Sequence, residues 1–496
     1  MADLSLETKG RPVGGTEYSW CRAVPGGTGI TVVALLLSGA LEPSSLQNAL
    51  NKLQNSHPIL RSKLTHNATT NSFSFTISPT PYLQIQSFDV SFTSHLLHSN
   101  HSVSPFHRIV EHELNQNPWS AEDLQPPVHP ETDVFFASLY ALPDRKWVVT
   151  LRLHTSVCDR RSAVSLLNEL LGLIAGEGKE DKKGIEQEVG KEDEVSLGIE
   201  ALIPSGKANK PFWARGVDLL GYSLNSFRFV NLDFKDTTAS LRSSEVVSLQ
   251  MDPDETRRLL TFHGSTFHLQ FEDRMERRRR SSVLGTGLLD NACKARDIKL
   301  CGALAAAALI AARSSRDLPD QQQEKYATVI LIDCRNLLDP PLQYNHLGFY
   351  HSAILNTHDI KGGEDLWELA ERCYMSLSNS MKSNKHFSDM GDLNFLMCKA
   401  IDNPRLTPSS SMRTSLISVF EDPVTDDFNE LHHEIGVEDY ISCSSVHGVG
   451  PSIAVFDRLR DGRLDCACVY PSPLHSREQM LELVDNMKRM LVTGSG

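Results

Sequence analysis

The stretch Leu153-His154-Thr155-Ser156-Val157-Cys158-Asp159-Arg160 decides how this chain is read. Trp147 to His154 is an apolar run with strand character, and Val134 to Leu142 is another. Pro143-Asp144-Arg145-Lys146 between them has turn chemistry, so the two runs predict a hairpin ending at His154. Beyond the segment, Ala163, Leu166, Leu167, Leu170, Leu171 and Ile174 recur at three- and four-residue spacing, which predicts a helix with one buried stripe. The segment is therefore a strand-to-helix corner that carries an imidazole, a hydroxyl, a thiol, a carboxylate and a guanidinium. Side chains alternate along a strand, so His154 and Thr155 should face opposite ways unless a bulge turns His154 round.

Outward from this corner, strands and helices alternate. Gly29 to Leu37 reads as a strand. Leu46, Ala49, Leu50 and Leu53 mark a helix that should stop near Ser56, because the residue before Pro58 resists helical geometry. Residues 177–194 hold eight carboxylates and four lysines with almost no apolar residue, the composition of a solvated linker. The chain begins again near Val246. Asp252-Pro253-Asp254-Glu255 combines an N-cap, a proline at the first helical position and a glutamate at the third. That helix should run on past Leu260. Instead a stretch without apolar period follows, 261–290, carrying Arg277-Arg278-Arg279-Arg280; Asn291 to Asp297 then reads as the rest of the same helix. We read 261–290 as an insertion and its arginines as a solvated run. Cys301–Ala312 and Leu366–Met381 read as helices and Ala327–Cys334 as a buried strand. Tyr440–Ser444, Ser452–Asp457 and Arg463–Tyr470 read as strands, and Met480–Met490 closes as a helix. The fold class is α/β (α+β), with subdomains at 1–176 and 246–496 and a charged linker and crossover at 177–245.

Composition narrows the function. The chain has 496 residues, long for a single core, and 40% apolar residues, enough for a globular interior. A net charge of -13 argues against a nucleic-acid surface. No stretch has the length of a membrane span, and the first twenty residues lack a basic start followed by an apolar run. The ten cysteines are scattered; Cys466-Ala467-Cys468 falls on one face of a strand and lacks zinc or redox spacing. Reduced, buried thiols in a cytoplasmic protein are the expectation. His432-His433-Glu434 lacks ligand spacing, so no metal is expected. Neither Gly26-Gly27-Thr28-Gly29 nor Gly448-Val449-Gly450 matches a phosphate loop.

Residues 154–160 resemble the His-His-x-x-x-Asp-Gly signature of the chloramphenicol-acetyltransferase and condensation-domain superfamily. The hairpin, the signature and the following helix occur in that superfamily's order. Ser56-His57-Pro58-Ile59-Leu60-Arg61 is similar to its helix end, Ile298 to Ala307 to the start of its second subdomain, and Leu331-Ile332-Asp333-Cys334-Arg335 to its strand ending in arginine. The resemblance covers nearly the whole chain apart from linker and insertion. It is strongest to plant-type condensation-domain proteins, related to alcohol acetyltransferases and phthiocerol dimycocerosyl transferases. The BAHD branch fits poorly, because there is no Asp-Phe-Gly-Trp-Gly.

The resemblance implies two mixed-sheet lobes meeting at a channel, and a base on the second histidine of the signature. Thr155 holds that place, and its hydroxyl cannot act as a base near neutral pH. His154 holds the first place, which usually supports the fold; a bulge would instead swing it into the channel. Asp159 is implied to be structural and to pair with Arg61. Arg160 replaces the glycine; a surface position is expected, with contact to an acidic cofactor group as the other option. Ser444 and Ser445 are candidate oxyanion or substrate contacts, His447 is a candidate substitute base, and His351 lies where the channel floor passes. Cys158 has no base evident beside it.

The implied activity is transfer of an acyl group from a coenzyme A thioester to a hydroxyl or amine of a small metabolite, with no bound cofactor. The partners expected are that acceptor and the thioester, and a monomer is favoured. The alternative is a catalytically degenerate homologue that binds a ligand or a protein without turnover. A third reading is condensation driven by acid and base groups of the substrate itself.

Overall fold

The computed structural model describes residues 9–39, 41–97, 103–120, 131–176, 195–211, 213–216, 221, 229–239, 241–262, 298–407, 410–426 and 430–494. The charged stretch 177–194, the expected insertion from residue 263 onward and Asn291–Asp297 lie outside the described residues.

The expected hairpin forms. Strands Phe135–Ala141 and Lys146–His154 pair antiparallel, with Leu153 opposite Phe135, and a short helical turn over Pro143–Arg145 joins them. Asp144 and Arg145 take positive φ there. The strand Thr28–Ser38 lies beside the hairpin, Ile30 opposite His154. Ile85–Phe88 adds a parallel edge, which makes this first sheet mixed. Along Lys146–His154 the alternation is strict. Val149, Leu151 and Leu153 face the helices Pro43–Ser56 and Arg160–Gly176, burying Leu46, Leu50, Leu166 and Leu170 among them. Val148 faces the other way, with Ile30, Val32 and Ala34, against the helix Pro105–Leu114 and against Val246, Ala454 and Val469 of the second lobe. One face of the first sheet thus builds the first core, and the opposite face builds the contact between lobes.

The second lobe is a seven-stranded mixed sheet running His351–Ile360, Glu324–Asp333, Arg413–Phe420, Gly450–Arg460, Arg463–Ser472, Ser243–Met251, with Val424–Asp426 alongside Gly450–Arg460. The Ala-rich helix Leu300–Ser314 is buried on nearly every side, because it packs against the helices Leu366–Lys382 and Arg477–Gly494. Gly302 permits the approach: a Cβ there would lie 2.9 Å from the carbonyl oxygen of Ala370. The helix Pro253–Phe262 starts as expected. Asp252 Oδ1 accepts from the amides of Asp254 and Glu255, and Glu255 Oε2 accepts from the amide of Asp252. A small sheet of Gly10–Pro12, Ser72–Ile77, Ser62–Asn67 and Glu131–Asp133 flanks the first lobe.

One strand crosses the expected division at residue 246. Val437–Val446 leaves the second lobe and pairs antiparallel with Thr28–Ser38, placing Ser444 opposite Thr31. The first sheet is therefore completed by the second half of the chain, and side chains from both halves meet on it. Among the described residues every cysteine is a free thiol, no group of histidines, cysteines and carboxylates could hold a metal, and no helix is long and apolar enough to cross a membrane.

Candidate functional site

The strand Lys146–His154 ends at His154, and a helical turn over Thr155–Val157 reverses the chain into the helix Arg160–Gly176. No bulge swings His154 into the cleft. It keeps the alternation of its strand and is fully buried, with its ring edge-on to Trp119 at 5.2 Å. Its Nδ1 accepts from the amide and the hydroxyl of Ser156 at 3.2 and 2.7 Å, which leaves the proton on Nε2. Burial pushes its pKa down to about 3. A ring whose free nitrogen is already occupied and whose cation is disfavoured is a packing residue.

Thr155 turns the opposite way, into a cavity of about 490 Å³ between the lobes. Its Oγ1 donates to the carbonyl of Gly29 at 2.6 Å and lies 2.7 Å from Thr31 Oγ1, which lies 2.9 Å from Ser444 Oγ. A carbonyl can only accept, so the direction of this chain is set: Thr155 donates to Gly29, Thr31 to Thr155, and Ser444 to Thr31. Each hydroxyl has spent its proton, and the capacity left at Ser444 is to accept. Ser445 Oγ accepts from the amide of Ile30 at 3.0 Å and keeps its own proton to donate. Of the two serines, only Ser445 is therefore suited to an oxyanion, while Ser444 is suited to a ligand hydroxyl or amine. Gly29 has φ +94°, and a Cβ on it would press on Trp20 at 2.9 Å and on Thr155 Oγ1 at 3.1 Å. Thr31 and Thr155 of the first half and Ser444 of the second build this hydroxyl wall together.

Asp159 does not pair with Arg61. Its carboxylate takes the guanidinium of Arg335, with Nη1 3.0 Å from Oδ2 and Nη2 3.1 Å from Oδ1. It also caps its own helix through the amide of Ser162 at 2.8 Å and accepts the amide of Tyr350 at 2.8 Å. The reason is the placement of lobes: Asp159 faces the second lobe, where Arg335 follows the strand Glu324–Asp333, while Arg61 ends a turn that begins the small flanking sheet. Ser162 Oγ strengthens the seam by donating to Gly348 O and accepting from Arg335. Burial alone would push the Asp159 carboxyl up; Arg335 and His351 beside it more than offset this and hold it far below the usual carboxylate range. The pair is a clamp between lobes.

His351 opens the strand paired with Glu324–Asp333 and lines the cavity. Its Nδ1 lies 3.1 Å from Asp159 Oδ2, and Phe420 meets its ring edge-on at 5.7 Å. The approach brings imidazole and carboxylate together without an aligned hydrogen bond at Nδ1. His447 does not join the site. Its ring covers Gly27, its Nδ1 pairs with Ser244 Oγ at 3.0 Å, and burial followed by the nearby Arg413 and Arg242 pushes its pKa down to about 4. Cys158 lines the cavity, but burial raises its thiol well above the ordinary range, so it is no nucleophile at neutral pH.

Arg160 is not at the surface. It is buried, its Nη2 is 3.0 Å from Asp457 Oδ1, and its guanidinium lies 4.2 Å above the Phe420 ring. The glycine it replaces would have left this volume open. The rest of the cavity wall is largely apolar, with Leu331, Leu355, Phe349, Leu396 and Met397. Arg413 closes it on one side, donating to the carbonyls of Val446, Gly448 and Pro451 and so holding the loop after Ser444.

Sequence reasoning missed Arg335 as the partner of Asp159, and missed Thr31 and Trp20. Arg335 had a signal, a guanidinium just after a buried strand. Thr31 had none, since it sits inside an apolar β-branched run.

No family model matches the chain, and no curated protein matches it. Solved structures do. Polyketide synthase associated protein 5 from Mycobacterium tuberculosis is 15% identical, with 98% of each chain covered and a TM-score of 0.62. Trichothecene 15-O-acetyltransferase from Fusarium sporotrichioides is 11% identical, with 98% of this chain and 94% of that chain covered and a TM-score of 0.65. The condensation domain of Monacolin K polyketide synthase is 11% identical, with 98% and 97% covered and a TM-score of 0.56. The chain has the two-lobed fold of condensation domains and chloramphenicol-acetyltransferase-like acyltransferases.

Proposed function

We propose that this chain transfers an acyl group from a coenzyme A thioester to the hydroxyl or amine of a small, largely apolar metabolite held between its lobes, with His351 as the base. The observation that carries this reading is His351 on the cavity wall with its Nδ1 3.1 Å from Asp159 Oδ2. The signature position is empty of a base, and this imidazole, which lies beside the signature's own carboxylate, takes over the task. In the reaction the acceptor O–H or N–H gives its proton to His351 Nε2 as the heteroatom attacks the thioester carbonyl. Ser445 is the hydroxyl with a proton left for the oxyanion. Collapse breaks the C–S bond, and the departing thiolate takes the proton back from His351. The apolar wall supports an apolar acceptor or acyl group, and Ser444 supports an acceptor that carries a donor.

A second reading, a ligand-binding homologue without turnover, is favoured by Thr155 in the base position and by the burial of His154. The test incubates purified protein with a panel of acyl-CoAs and apolar alcohols and amines, and follows free thiol. A correctly placed base contributes about 100-fold or more, so His351→Ala should lower turnover by that factor while His154→Ala leaves it within severalfold. Undiminished turnover in His351→Ala would remove this base. Ligand binding with no thiol release across the panel would establish the second reading.

A further inference from the structure

Arg160 borders three voids. One is the apolar chamber of about 490 Å³ that contains Thr155 and Ser444. The second, about 100 Å³, is a polar vestibule lined by Arg161, Asp333, Asn336, Tyr344, Glu421 and Asp422. The third, about 40 Å³, lies toward His107, Gln250 and Asp439. Chamber and vestibule share four lining residues, Arg160, Leu331, His351 and Phe420, and these are the wall between them.

We propose that Arg160 is a gate that divides the channel between the lobes, and that a ligand with an apolar group in the chamber and a polar arm in the vestibule must displace it. This rests on reading the chamber as the ligand site, and it names that ligand's class: an amphipathic thioester, its acyl group among Leu331, Phe349 and Leu396 and its pantetheine arm outside.

The wall is built from contacts suited to opening. Arg160 is the first residue of its helix, directly after the Asp159 clamp, so its backbone is held while its long side chain is free to choose a rotamer. The guanidinium is held by the Phe420 face at 4.2 Å, by Asp457 at 3.0 Å and by a long hydrogen bond from Nη1 to the Asp422 carbonyl at 3.5 Å. Neither Asp457 oxygen makes an aligned hydrogen bond, although both are buried. The Arg160–Asp457 pair is therefore a charge contact, and the one directional bond of the guanidinium, to the Asp422 carbonyl, is at the long limit for a hydrogen bond. Burial, opposed by their mutual attraction, pushes Arg160 down and Asp457 up, so each partner is held in its charged form mainly by the other. The glycine of the superfamily signature has no side chain to place there. His351 borders both voids beside Arg160, so an opening of the wall couples access from the vestibule to the base.

The test compares wild type with Arg160→Gly and with the double variant Arg160→Gly/Asp457→Asn, in which no buried carboxylate loses its partner. Two probes are used. 2-Naphthol needs only the chamber, whereas dodecanoyl-CoA must pass the wall. Dodecanoyl-CoA should associate about tenfold or more faster with either variant, while 2-naphthol affinity stays within about twofold. Crystals of the double variant should show chamber and vestibule joined. Voids that stay separate, or equal acceleration of both probes, would overturn the gate. If 2-naphthol binds and dodecanoyl-CoA binds none of the proteins, the thioester reading fails, and the joined or separate voids still decide the role of Arg160.

Discussion

Two segments meet at the cavity, 154–160 in the first lobe and 333–351 in the second, and they differ in what they bring to it. The first segment only resembles the superfamily signature: its histidine is packed against Trp119, and a threonine bonded to Gly29 stands where the resemblance would put the base. What it keeps is Asp159, a carboxylate serving as helix cap, lobe clamp and neighbour of an imidazole. The second segment has no signature, yet it brings Arg335 and His351 to that carboxylate. The half of a motif that holds the fold and the half that does chemistry are under different physical constraints. Loss of the clamp leaves a buried charge alone, while loss of the base leaves a foldable protein.

The largest way to break this comparison is to remove Arg335. Arg335→Met strands the Asp159 carboxylate in the interior and should cost about 3–5 kcal/mol in urea unfolding, and adding Asp159→Asn should recover part of that loss. A variant as stable as wild type would show that the clamp is not what joins the lobes.

Acid tests the packing role of His154. His154 titrates near 6.5 when unfolded and near 3 when folded, so the unfolded chain binds the proton more tightly. Its contribution to stability is complete above pH 6.5 and is lost as pH falls toward 3. At pH 5 the loss from this ring is about 2 kcal/mol. The difference in unfolding free energy between wild type and His154→Leu should therefore shift by that amount between pH 7 and pH 5. A pH-independent difference would mean that the ring is not buried neutral.

The smallest effect is expected at Thr155. Thr155→Val removes one donor and one acceptor from the hydroxyl chain and should cost about 1 kcal/mol of stability. Thiol release should fall only mildly, because Thr155 is not the base. A loss as deep as that of His351→Ala would return the chemistry to the signature position.

Much of the corner was legible because its signals are local. Alternation along Lys146–His154 forecast that His154 and Thr155 part ways, and they do. The cap at Asp252 and the stop at Ser56 rest on backbone chemistry a few residues long, and both appear where they were read. Arg61 was a wrong partner because sequence order says nothing of which guanidinium a carboxylate faces across 176 residues of chain, the separation of Asp159 and Arg335. Arg160 was placed at the surface because a lone arginine is usually solvated; here Asp457 and Phe420 lie far along the chain and repay its burial.

By itself the sequence determined the strands and the helix that flank the corner at 154–160, several of the buried stripes and the lack of a histidine at Thr155. Those depend on side-chain period, turn chemistry and residue identity, which act over a few residues. Only the tertiary structure decided that Val437–Val446 crosses to complete the first sheet, that Arg335 and His351 meet Asp159, and that Arg160 walls off the chamber. Each of these joins groups more than a hundred residues apart, and such contacts are chosen by how two cores fit together.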